Sequence, residues 1–535
     1  MTIEANLVDI FKKEIYPVSL TIKDKKIDSI KKIDKECNTY ILSGFVDAHI
    51  HIESSMLIPS KFAQLAISHG TVATVSDPHE IANVLGLDGV EFMINNAKES
   101  GFKFYFGASP CVPATPFETN GATLSPAEIE KLLQRDDIYY LSEVMNFPGV
   151  INGDADMLEK IALAKKYNKP IDGHSPALSG NDLQTYIDTG ITTDHEAFTL
   201  EEAKEKLEKG MKIQIRQGSA ARNYDDLHPL IEDYYENLMF CSDDKHPNDL
   251  VKGHINELVK DAVARDYDLY KVLQIASLNP IKHYNLDVGM LRVGDSADFI
   301  EVDNLKDFTI LRTFIDGNSQ LNDVEVEHIN NFNCSKKDTK DFEIHESCKE
   351  YRVIDAINKQ LITKEEHQKL KDIDSVVQCD INKDILTISV TNRYKDAPPA
   401  LSFVHGFGLT SGAIASSVAH DSHNIIAVGC DAKSISLAIN AIIESKGGVC
   451  VVDEKEEIHH LPLEIAGLMS DKDGALVAKR YEELDNIVKT KLNSKLDAPF
   501  MTLSFMALLV IPDIKLSDKG LFDGTTFHFV QECSL

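Results

Sequence analysis

The stretch "GFVDAHIHIESS", Gly44–Ser55, sets an apolar β-type run against two histidines separated by one isoleucine. Side chains alternate along a strand, so positions i and i+2 share a face and lie about 6.5–7 Å apart. His49 and His51 are therefore expected to aim at one point while Ile50 turns into the packing behind. Two imidazoles converging from one strand end suit a metal ion, and a polar surface loop is the competing interpretation.

Reading outward from this stretch, the pattern repeats. Between Gly44 and Ala276 short β-rich runs alternate with amphipathic helical stretches. The runs are "FVDAHIH", "TVATVSD", "KFYFGAS", "IYYLSEV", "PIDGHS", "ITTDHEA", "KIQIRQG" and "LMFCSDD". Eight such alternations in about 230 residues match the count and length of a (β/α)8 barrel. No G-x-G-x-x-G follows a strand, which disfavours a doubly wound nucleotide-binding sheet. The fold class is α/β: a (β/α)8 TIM-like barrel over residues 44–285. Its two flanks, residues 1–43 and 286–320, read as short antiparallel strands that pair into a small β-sandwich. Residues 321–349 are polar and charged and are expected to form a linker, and residues 350–535 a C-terminal α+β domain.

Composition bounds the rest. At 535 residues the chain exceeds one hydrophobic core, and 43% hydrophobic with 26% charged residues describes an ordinary globular protein. A net charge of -30 disfavours nucleic acid as a partner. The most apolar stretch, "PFMTLSFMALLVIPDI", is interrupted by Thr502, Ser504 and Pro512, so no membrane span is expected. Nor does the N-terminal stretch read as a secretory signal. Nine scattered cysteines, odd in number and without a C-x-x-C pair, predict free thiols and a cytoplasmic location.

Catalytic groups of such barrels come from the C-terminal ends of the strands. The first predicted strand ends in His49 and His51, the fourth in Glu143, the fifth in His174, the sixth in His195 and the eighth in Asp243. Imidazoles and carboxylates without thiolate suit Zn, Mn, Fe or Ni. Four histidines and two carboxylates exceed one tetrahedral ion with an open position, so two ions sharing a carboxylate and a water fit better. A metal pair ~3.5–4 Å apart acidifies the water between them, and Asp243 is placed to take its proton. The expected reaction is metal-assisted hydrolysis at an sp² carbon.

"GFVDAHIH", His174, His195 and "SDD", in this order, resemble the amidohydrolase superfamily. A closer resemblance, to the adenine deaminase family, rests on "GFVDAHIHIESSM", "VSDPHEIANVLG", "EVMNFPGVI", "DGHSP", "GITTDHE", "IRQGSAARN", "FCSDDKHP" and "HGFGLTSGAIASSVAHDSHNI". These segments span both the barrel and the last domain. The resemblance implies hydrolysis of adenine to hypoxanthine and ammonia in purine salvage, with Mn2+ or Fe2+, and possible Zn2+, as metals. It also implies one ion on His49, His51 and Asp243 and the other on His174 and His195. Many relatives bridge the ions with a modified lysine where this chain has Glu143, so Glu143 stands as bridging ligand, terminal ligand or general acid. The alternatives are another amidohydrolase acting on a cyclic amide or amidine, or a non-catalytic scaffold, which would be expected to lack several of the six ligands.

Further candidates are Glu53, His79, Arg216 and Ser219 for substrate binding, and His420, Asp421 and His423 as a lid or accessory metal site. For Glu53 the competing role is capping a helix; for Arg216, anchoring acidic loops. Glu196 is expected to face away from the site if the strand through His195 continues. The partners are adenine and water, and a homo-oligomer is the default.

Overall fold

The computed structural model describes residues 1–533. Eight parallel strands follow in chain order: β1 (Phe45–Ile50), β2 (Thr71–Ser76), β3 (Lys103–Ala108), β4 (Ile138–Val144), β5 (Ile171–Gly173), β6 (Thr193–Asp194), β7 (Lys212–Arg216) and β8 (Leu238–Cys241). They form two laddered arcs, β1–β5 and β6–β8. Every residue of β1, β2 and β8 is buried, because helices cover one face and the other faces inward.

The arcs meet at both seams by fewer bonds than a full ladder. On one side the Asp243 amide donates to the His49 carbonyl at 2.9 Å, and the His51 amide to the Asp243 carbonyl at 3.3 Å. On the other, the Thr192 amide donates to the Ile171 carbonyl at 2.9 Å. Gly173 stands at this second seam, where a Cβ would lie 2.4 Å from the Thr193 carbonyl oxygen, so only glycine permits the approach.

Two departures from regular pairing bear on the site. Between Asp47 and Ile50 of β1, and between Leu141 and Val144 of β4, the register shifts by one residue against the neighbouring strand. Such bulges re-aim side chains at the rims of barrels, and here they bracket His49 and Glu143.

The flanking segments form one six-stranded sheet instead of the expected sandwich. Strand Tyr40–Ser43 lies between Thr2–Asp9 of the N-terminal flank and Phe299–Val302 of the other, so both flanks do contribute to the sheet. Residues 321–349 also depart from a free linker. They carry little regular structure, yet Val324, Phe342 and Ile344 are buried, and the Asn333 amide donates to the Arg393 carbonyl at 2.7 Å. This segment is a strap tied down at intervals.

Beyond the strap, eight strands build a mixed sheet, its edges Thr363–Gln368 and Ile458–Pro462, with helices Ala432–Ser445 and Gly474–Thr490 packed against it. The free-thiol expectation is corrected at two positions: Cys348 and Cys533 form a disulfide, joining the first strand of this unit to the chain's end, and the other seven cysteines are free. No helix among the described residues is long and apolar enough to cross a membrane.

Candidate metal centre and active site

At the C-terminal mouth of the strands, six side chains from five strand ends converge. The Nε2 atoms of His49 and His51 lie 3.3 Å apart. Asp243 Oδ1 is 3.8 Å from the first and 3.4 Å from the second. Glu143 spans the group: its Oε1 is 3.2 Å from His51 Nε2, while its Oε2 is 2.7 Å from His174 Nδ1 and 3.3 Å from His195 Nε2. The His195 ring stacks on His49 with centroids 4.1 Å apart.

Tautomers follow from the outer contacts. His51 Nδ1 faces the Asp77 carbonyl at 3.2 Å, an acceptor only, so that nitrogen carries a proton and Nε2 is the one turned inward, where it meets the carboxylates as a donor or would bind a metal once deprotonated. Electrostatics agree with a cation-seeking centre. Burial alone would depress His51, but hydrogen bonding to Asp243 and Glu143 outweighs it and lifts His51 well above the ordinary imidazole range. His49, dominated by burial with His195 beside it, falls well below. Burial likewise opposes ionisation of Glu143 and Asp243, yet His174 beside the first and Arg216 beside the second hold both carboxyls well below the carboxylate range.

The donor set fits divalent metal. Ligand atoms of His49, His195 and Asp243 lie within 4.8 Å of one another, as do those of Glu143, His174 and His195, and those of His51, Asp77, His79 and Glu143. The donors are imidazole and carboxylate, several of them nearly without solvent, a combination suited to borderline and hard divalent ions.

Arg216, from the end of β7, is 1% exposed. Its guanidinium donates to both oxygens of Glu196 and, at 2.6 Å, to Asp243 Oδ2. Glu196 thus faces the centre, against expectation. Strand β6 stops at Asp194, whose Oδ2 accepts the Glu196 amide at 3.1 Å, so the chain turns and alternation no longer applies.

Of the four substrate-binding candidates, His79 and Arg216 line the central cavity; Glu53 and Ser219 do not. Glu53 sits in a 3-10 turn and accepts the Ile81 amide at 3.2 Å, capping helix His79–Leu85. Ser219 donates to Asp249 and lines a neighbouring cavity. His420 and Asp421 line the central cavity from the C-terminal unit, and His423 lies behind them, paired with Glu80.

Sequence reasoning missed most of the roof. Leu361, Phe505, Leu508, Val510 and Ile511 close the cavity over the polar floor. For the last four the signal was the apolar stretch 499–514, far too rich in large side chains for a surface segment; Leu361 had none.

Residues 40–319 match the amidohydrolase family, and residues 360–528 match the adenine deaminase C-terminal domain. The chain is 60% identical to the adenine deaminase of Sulfurovum sp. (strain NBC37-1), over 100% of both chains. It is 50% identical to that of Borreliella burgdorferi, over 99% of each, and 48% identical to that of Salinibacter ruber, over 99% of this chain and 98% of that one. The chain belongs to the adenine deaminase family of the amidohydrolases.

Proposed function

We propose that the chain hydrolyses adenine to hypoxanthine and ammonia, in purine salvage, with two divalent ions, manganese or iron, held by His49, His51, Glu143, His174, His195 and Asp243. Glu143, whose two oxygens face His51 on one side and His174 and His195 on the other, would be among the ligands that hold the ions. The two arcs are taken as one (β/α)8 catalytic barrel over residues 44–285, roofed by residues 350–535; the setting is a cytoplasmic homo-oligomer. The observation that carries this reading is the double-faced contact of Glu143, one oxygen toward His51 and the other toward His174 and His195.

Divalent metal supplies Lewis acidity and lowers the pKa of water at the site. The side chains do the rest. Glu143 and the imidazoles form a polar floor beneath an apolar roof. Arg216 pins Asp243 through Oδ2 and leaves Oδ1 turned toward the imidazoles. Asp243 Oδ1 accepts a proton from the attacking water and delivers it toward the substrate. Water's oxygen bonds to the carbon bearing the amino group and its first proton goes to the adjacent ring nitrogen; its second proton passes to the amine, the C–O bond becomes a carbonyl, and the C–N bond breaks with the amine leaving as ammonia. Asp243 and Glu143 together account for the proton shuttling. The roof of Leu361, Phe505, Leu508, Val510 and Ile511 excludes bulk water from these transfers.

Ammonia release from adenine by the purified protein tests this reading, with guanine and adenosine as controls. Chelation should abolish release and manganese or iron should restore it. Asp243→Asn should lower kcat by about 10²–10⁴-fold, the range of a lost general acid–base group. A chelator-insensitive protein, or Asp243→Asn within a few-fold of wild type, would show the mechanism to be wrong.

A further inference from the structure

The cavity has two chemically different walls. The barrel supplies a floor crowded with paired charges, and the C-terminal unit a roof that is apolar except for His420 and Asp421. His420 is already engaged. Its Nδ1 bonds Glu80 Oε1 at 2.6 Å, and its ring stacks on Phe505 with centroids 5.7 Å apart.

Asp421 is not engaged in this way. It is 4% exposed, lines the cavity, and its Oδ2 is buried without a hydrogen-bond partner. Glu80 Oε2, a second orphan by hydrogen-bond geometry, is ion-paired with His423; Asp421 Oδ2 has no ion pair of that kind among the described residues, and only the more distant charges of His79 and His420 favour its ionisation against burial. A buried carboxylate oxygen left unpaired is destabilising, and native structures rarely tolerate one without a reason. Glu118, 5% exposed, lies near enough for the Asp421 charge to help hold its carboxyl well above the carboxylate range, after burial itself. The cavity therefore presents a buried acceptor to whatever occupies it.

Adenine carries one. With its amino-bearing carbon over the floor, the base still presents an imidazole ring N–H that no chemistry at that carbon consumes. We propose that Asp421 accepts the imidazole N–H of the bound purine and thereby selects the free base over its N-substituted forms. This inference rests on the deaminase reading. A substituent on that nitrogen removes the donor, leaves Asp421 buried and unpaired, and has to fit against the apolar roof.

The test compares wild type, Asp421→Asn and Asp421→Ala on adenine and 9-methyladenine, with hypoxanthine affinity measured by calorimetry. Metal content and melting temperature identify folded, loaded protein. A hydrogen bond to a charged group sets the expected scale, so Asp421→Ala should raise KM for adenine and Kd for hypoxanthine on the order of ten- to a hundredfold. Its kcat should change far less. Asp421→Asn retains an oxygen acceptor and should fall between, and it decides the matter if the alanine variant does not fold. 9-Methyladenine should be a poor substrate for wild type and no worse for Asp421→Ala. Wild-type hypoxanthine affinity in both variants, or equal losses on adenine and 9-methyladenine, would overturn the assignment of Asp421 alone. Wild type that releases no ammonia from adenine would instead overturn the deaminase reading, and this inference with it.

Discussion

Arg216 shows what a single side chain does at this centre. Its charge stands between Glu196 and Asp243, both nearly without solvent, and burial of the guanidinium itself is offset by those two carboxylates. Removing one member of a buried ion network leaves its partners uncompensated, which is destabilising by about 3–5 kcal/mol. Arg216→Met should therefore lower the unfolding free energy of the metal-free protein by that amount, read from its denaturant midpoint at constant slope. A loss below about 1 kcal/mol would mean that the arginine is held in place without being needed there. The sequence marked Arg216 as a positioning residue or an anchor for acids, and the contacts favour the anchor. Glu196 was not legible, because period-2 reasoning holds only while a strand continues, and β6 ends one residue before His195.

At the scale of elements, the histidines and carboxylates at the strand ends were legible because hydrophobic runs locate strands and the first polar residue past a run marks the mouth. The bulges at Asp47/Ile50 and Leu141/Val144 were not, since one inserted residue changes register without changing composition. Strand Ile514–Ser517 carries a similar hidden feature. Lys515 is fully buried, its amine donates to the Leu361 carbonyl at 2.6 Å, and burial pushes its pKa down from 10.5 to about 7, with Asp513 only partly resisting. Between those two pH values the unfolded chain binds a proton that the folded chain does not, so stability rises with pH across that window. Lys515→Met removes the term and should stabilise the protein by a few kcal/mol at pH 7, less about 1 kcal/mol for the lost hydrogen bond. Its advantage should shrink steadily toward pH 10. Urea midpoints across pH 7–10 would read this directly, and parallel curves for the two proteins would contradict it.

Over the whole molecule, the roof acts on the floor only while the two units stay docked, and the docking adds specific polar contacts to a shared apolar core that includes Leu57, Phe62, Met469 and Val477. Glu80, 2% exposed at the start of a barrel helix, bonds His420 and pairs with His423 from the turn between strands Ala413–Ser416 and Ile425–Gly429. Asn424 donates to the Thr119 carbonyl at 2.8 Å, and the Ser470 amide to the Met56 carbonyl at 2.8 Å. Burial would lower His420, but Glu80 overrides it and lifts the imidazole from 6.5 to about 9. A raised folded pKa contributes stability in full below 6.5 and loses it as pH climbs through about 9, an interval worth about 3 kcal/mol. Glu80→Gln keeps a hydrogen-bonding side chain but removes the charge, so it should abolish that pH-dependent term. Calorimetry should show wild type melting in one transition at pH 7 and separating toward two as pH passes 9, whereas the variant separates already at pH 7. Its KM for adenine should rise as well, because Asp421 and Phe505 then sit on a roof that opens more readily. A variant that melts as one unit at pH 7, with wild-type KM, would mean that the shared apolar core, the strap and the Ser470 contact suffice to hold the roof, and that Glu80 serves only the local arrangement of its histidines.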